Sequence, residues 1–240
     1  MTDTGFVDAV GARLYYEATG AGEPLVLLHG NGENLGYFAA QMPVFAQHYR
    51  VIALDTRAHG RSTRGDGPLD FPRFAADVCA VLDALEVPDA HVLGYSDGGN
   101  TALTLALRRP DRVRSLIVNG ANLDPVGLGW KFRIPATALW LAGGLVAPLS
   151  PNLARKRELL GLMVRHPHIP ESALASITVP TLVIVGENEL IPRPHTELIA
   201  GAIPGAQLVT IPDAGHACAA QRPDTFNAAV LEFLARTWNS

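Results

Sequence analysis

Short continuous apolar runs recur along the chain, separated by stretches with helical spacing. Leu25-Val26-Leu27-Leu28, Val51-Ile52-Ala53-Leu54, Val113–Val118, Thr181–Val185 and Leu208-Val209-Thr210-Ile211 read as strands buried on both faces. Phe6–Val10 and Ala12–Glu17 predict a hairpin turning near Gly11. Helical stretches are predicted over Tyr37–Gln47, through Phe74, Val78, Val81, Leu82 and Leu85 with Pro72 near the first turn, over Asn100–Arg109, and over Asp224–Arg236. Strands that alternate with helices imply a mostly parallel α/β sheet with helices on both faces.

The alternation breaks once, between about Leu123 and Thr178, where proline-rich and helical segments replace strands. This predicts a core of residues 1–123 and 179–240 with a short helical cap inserted at 124–178. Within the cap, Ile134–Leu149 is apolar, but Pro135, Gly143-Gly144 and Pro148 interrupt it. It reads as an apolar surface helix folded over a site, too short and broken to span a bilayer.

Composition narrows the function classes. The chain has 240 residues, 48% apolar and 18% charged, which suits one large globular domain. A net charge of −4 gives no electrostatic reason to expect nucleic acid or an anionic membrane as partner. Arg155-Lys156-Arg157 is the one basic run and reads as a solvated helix face. Cys79 and Cys218 lie far apart with no metal or redox spacing, and no histidine cluster has ligand spacing, so no cofactor or metal is expected. The first residues lack a basic region followed by an apolar stretch, so the cytoplasm is the expected compartment. Oligomeric state leaves no signature in this sequence.

The chemistry concentrates at one turn. Gly94-Tyr95-Ser96-Asp97-Gly98 follows His91-Val92-Leu93 and opens a helical segment. A strand, a sharp turn and a helix with serine at the apex expose the Oγ and set the next backbone N–H where an oxyanion would form. Parallel sheets carry their reactive groups in loops after the strands. Those loops supply His29-Gly30-Asn31-Gly32, Asp55 to Ser62, Ser96, Asn119 to Asp124, Gly186-Glu187-Asn188-Glu189 and Asp213-Ala214-Gly215-His216. In kind and order these pieces resemble the α/β-hydrolase superfamily across essentially the whole chain apart from the cap. Ser96-Asp97-Gly98-Gly99-Asn100 is most similar to small esterases of the valacyclovir-hydrolase-like branch.

The resemblance implies a serine hydrolase acting on a small carboxylic ester, or on a lactone or amide. Ser96 is the expected nucleophile and His216 its base, in the chain order serine, acid, histidine that this fold uses. Aspartate is usual where this chain has Glu189, which is the expected acid. Asp124 is the alternative, and Glu187 has the same pleat direction. The backbone N–H groups of Asn31 and Asp97 are the expected oxyanion donors. His29 reads as structural, and Arg57, His59 and Ser62 as a loop brace beside Ala58, where the family usually has glycine. The Asp97 side chain has two readings, a partner for a substrate ammonium or a bond to local backbone. Trp130, Phe132, Trp140, Leu141 and Met163 fall in the cap, where Trp130 and Trp140 are candidate substrate contacts. A short cap favours a small or medium ester substrate over a long lipid. Competing readings are C–C bond hydrolysis or perhydrolysis on the same triad, and a binding protein that has lost turnover. A dehalogenase is disfavoured, since it needs a carboxylate where Ser96 stands.

Overall fold

A computed structural model describes residues 2–237, so the outermost residues of the predicted core fall outside it. Eight strands form one sheet: β1 (Asp3–Ala9), β2 (Ala12–Thr19), β3 (Pro24–Leu28), β4 (Arg50–Leu54), β5 (Ala90–Tyr95), β6 (Val113–Asn119), β7 (Thr181–Asn188) and β8 (Gln207–Gly215). Their order is β1-β2-β4-β3-β5-β6-β7-β8, antiparallel at β1–β2 and β2–β4 and parallel throughout the rest. The helices are α1 (Met42–Phe45), α2 (Phe71–Ala84), α3 (Asp97–Arg108), α4 (Trp130–Val146), α5 (Pro151–Arg165), α6 (Arg193–Ala202), α7 (Cys218–Gln221) and α8 (Pro223–Thr237). Two apolar layers cover the sheet. One packs α2 and α3 with Val26, Val92 and Val118, and the other packs α8 with Leu27, Leu93 and Ile184.

Each predicted buried run is a strand. The central ones are covered on both faces and need no polar alternation, whereas β8 lies at the sheet edge and its Leu208, Val209 and Thr210 are half-buried. The predicted Tyr37–Gln47 helix is instead a 3-10 turn at Leu35–Phe38 followed by α1. Pro43 lacks an N–H and belongs to the first turn of α1, so it starts a new helix rather than continuing an old one.

No strand occurs between 120 and 180, where α4 and α5 pack as a hairpin beside the sheet's carboxyl end. Of the expected interruptions, Pro135 and Gly143-Gly144 lie inside one α-helix, whereas α4 ends at Val146 and a 3-10 turn that contains Pro148 continues to Leu149. The helical run Trp130–Leu149, 20 residues, is long and apolar enough by size alone to cross a membrane. Gly143 and Gly144 do not break it. The Arg157 side chain of α5 lies 3.4 Å from where a Cβ would stand on either residue, an ordinary contact distance.

The loop after β4 is a brace. Arg57 is fully buried, forms a fork with Asp77 (2.8 and 2.6 Å), and donates to the Val10 carbonyl at 3.0 Å. Ser62 donates to the Asp55 carbonyl at 2.6 Å, and His59 Nδ1 lies 2.9 Å from the Arg57 carbonyl oxygen. Ala58 sits between them at φ 66°. A Cβ is strained in that region, and glycine is not. Ala58→Gly is therefore expected to stabilise the fold by about 1 kcal/mol, read as a higher urea midpoint at constant m-value.

Candidate active site

Ser96 holds φ 55° and ψ −116°, outside the regions open to ordinary residues. The tight turn is possible because its flanking glycines touch backbone. A Cβ on Gly94 would stand 2.1 Å from the Gly98 carbonyl oxygen, and one on Gly98 would stand 2.0 Å from that of Leu28. The Ser96 amide donates to Asn119 O at 2.8 Å, which pins the turn to β6. The Ser96 Oγ lies 3.0 Å from His216 Nε2.

His216 follows β8, and its Nδ1 lies 2.5 Å from Glu189 Oε1. The same oxygen accepts the Leu190 and Ile191 amides at 2.6 and 3.2 Å. The longer glutamate thus folds back on its own loop, which brings its carboxylate to the imidazole. Tyr95, next to the serine, stacks on Tyr37 at 4.2 Å and tilts against His216 at 5.1 Å. Gly120 passes so close that a Cβ would meet the His216 ring at 2.8 Å. Ser96, His216 and Glu189 therefore meet in one array.

The other acids do not join them. Asp124 Oδ1 accepts the Val126 and Gly127 amides (2.6 and 3.0 Å), capping a 3-10 turn. Glu187 is exposed and accepts the Asp213 amide at 3.1 Å. His29 is buried, which pushes its pKa down to about 3, and its Nε2 accepts the Thr56 amide. His195 Nε2 accepts the Leu123 amide at 3.0 Å, joining α6 to the start of the cap. No group of three potential metal ligands forms among the described residues.

Asp97 opens α3, so its amide has no partner inside the helix. Its carboxylate is not held by local backbone. It is 8% exposed and takes the Asn31 side-chain amide at 2.8 Å. Burial pushes its pKa up to about 6, and the Asn31 hydrogen bond opposes the rise. The same Asn31 Nδ2 donates to Leu159 O of α5 at 2.9 Å, so the serine turn, the Asn31 loop and the cap share one junction.

A cavity of about 680 Å³ opens at that junction, between the Asn31 loop and the α4–α5 hairpin. Asn31, Glu33, Leu139, Leu159 and Met163 are among its walls. A second cavity, of about 700 Å³, lies across α5 from the first and contains Trp140; Ser96, His216 and Glu189 line neither. Trp130 is 66% exposed at the start of α4 and borders neither. The two candidate tryptophan contacts are thus not brought to Ser96, because α4 turns them toward solvent and toward α5. Leu141 is likewise exposed, whereas Met163 does border the cavity at Asn31.

Three features went unread in the sequence. They are the Tyr37–Tyr95 stack, Glu33 on the cavity wall with its pKa raised by burial, and the Leu159 carbonyl. Only Tyr95 carried a local signal, through its place beside the serine.

The open parallel sheet, the strained serine turn and the serine–histidine–carboxylate array define a class, that of α/β proteins built around a nucleophile on a strand-to-helix turn. Residues 23–154 match the family model for the alpha/beta hydrolase fold, and the chain belongs to that family. It is 34% identical to a putative carbamate hydrolase, RutD, of Azorhizobium caulinodans, over 92% of this chain and 95% of that one. Among solved structures it resembles Est816, an N-acyl homoserine lactone degrading enzyme (31% identical, TM-score 0.78, 95% of this chain and 100% of that one). It also resembles the enol-lactonase of Burkholderia xenovorans (25% identical, TM-score 0.80, 96% and 100%).

Proposed function

We propose that this protein is a serine hydrolase that cleaves small carboxylic esters and lactones through an acyl-enzyme on Ser96. The observation that carries the reading is His216 held between Ser96 Oγ at 3.0 Å and Glu189 Oε1 at 2.5 Å. A serine hydroxyl is a poor nucleophile at neutral pH and needs this adjacent base. As Ser96 Oγ adds to the carbonyl carbon, His216 Nε2 takes its proton, and the Glu189 carboxylate stabilises the imidazolium. Negative charge gathers on the former carbonyl oxygen, between the Asn31 and Asp97 amides. The C–O bond then breaks, His216 protonates the departing alkoxide, and water activated by the same histidine frees the acid. Similarity to a lactone-degrading enzyme and an enol-lactonase supports including cyclic esters.

The test has two arms at neutral pH. A fluorophosphonate probe is expected to add mass at Ser96. A panel of p-nitrophenyl acetate, an acyl lactone and an alkyl carbamate is expected to show turnover of the first two above that of the third. Absence of labelling would remove the serine hydrolase reading. Labelling with turnover of the carbamate alone would reassign the substrate, following the similarity to RutD.

A further inference from the structure

The cap carries an apolar surface that the catalytic reading leaves unused. Trp130, Ile134, Leu141, Leu145 and Leu149 recur at intervals of four or seven residues and occupy one side of the Trp130–Leu149 helical run. They are 59 to 84% exposed. The opposite side packs against α5, where Trp140 sits beside Gly161 and beneath the Arg157 and Arg165 guanidiniums. The exposed stripe is about 30 Å long. A contiguous apolar face of that length on a soluble domain marks an interaction surface.

Charge distinguishes the occupant. Residues 130–165 carry six cations (Lys131, Arg133, Arg155, Lys156, Arg157 and Arg165) and one carboxylate, Glu158, itself paired with Arg64, in a chain whose net charge is −4. The balance of the whole chain hides this local excess. A twofold contact between two copies would set the cationic hairpin against itself, and like charges across an interface oppose association. An anionic lipid surface complements both properties. It takes the leucines and Trp130 into the headgroup boundary and places phosphates beside Lys131, which lies next to Trp130, while the other cations of the hairpin add longer-range attraction.

We propose that the α4–α5 cap adsorbs through the Trp130–Leu149 stripe onto anionic lipid bilayers, lying in the interface rather than crossing it. The proposal does not depend on the reaction at Ser96, since the stripe residues Trp130, Ile134, Leu141, Leu145 and Leu149 border neither cap cavity.

The experiment is co-sedimentation of the full chain with vesicles of phosphatidylcholine and phosphatidylglycerol in equal parts, and with vesicles of phosphatidylcholine alone. Binding is expected to the first, several-fold weaker to the second, and weaker again in high salt. Leu145→Glu with Leu149→Glu is expected to lower apparent affinity by about 100-fold, with the circular dichroism spectrum and short-ester turnover unchanged. Lys131→Glu should reduce binding to anionic vesicles and leave binding to neutral ones as it was. Protein that stays in the supernatant with anionic vesicles overturns the proposal, as does equal binding by the double glutamate variant. A concentration-dependent dimer that the double variant dissolves, without vesicle binding, would assign the stripe to a second copy.

Discussion

Ser96→Ala is expected to lower kcat by about 10⁴- to 10⁶-fold and to abolish fluorophosphonate labelling. The Oγ lies 3.0 Å from His216 Nε2, and alanine leaves the base with nothing to deprotonate. Residual turnover above the uncatalysed rate is expected to persist, because the Asn31 and Asp97 amides still polarise a bound carbonyl. Ser96→Gly separates chemistry from strain. It removes the same nucleophile, but at φ 55° and ψ −116° it also removes the crowded Cβ. After the entropy cost of glycine, unfolding free energy is expected to rise by about 1 kcal/mol relative to the native chain, measured by urea titration. A glycine variant that is both inactive and less stable would show that the turn holds no strain.

Glu189→Gln is expected to lower kcat by about 10³- to 10⁴-fold with little change in KM, whereas Asp124→Asn leaves kcat within about twofold. Glutamine keeps the shape and can still receive the Leu190 and Ile191 amides, so the loop survives. It loses the negative charge that stabilises the imidazolium formed as the proton moves. Asparagine at 124 retains an oxygen for the Val126 and Gly127 amides, so the cap turn persists and the site is untouched. Steady-state kinetics on p-nitrophenyl acetate checks both. The reverse pattern would move the acid to Asp124.

These predictions differ in how far the sequence alone supports them. The serine turn is legible from five neighbouring residues, because glycines at 94 and 98 answer a steric demand that lies within the turn and the strand beside it. The central strands are equally legible, since burial on both faces leaves Leu25–Leu28 and Val51–Leu54 without a polar residue. The helices at 35–45 and 130–149 are less legible. Proline and glycine break a helix only where the surroundings offer the chain a better alternative. Pro43 and Pro148 each sit in the first turn of a new short helix, whereas Pro135 and Gly143-Gly144 stay inside α4.

What the sequence by itself determined was the alternating α/β core, the serine turn and the order of the loops that follow its strands, all of which follow from sterics and burial over a few neighbouring residues. Tertiary structure alone decided which of three carboxylates meets His216, which lies 120 residues from Ser96. It also decided that the Asp97 carboxylate is held by Asn31, 66 residues away, and that the apolar stripe of the cap faces outward. Such choices depend on a carboxylate being within about 3 Å of one partner and not another, and sequence spacing carries no distance between loops joined only through the sheet.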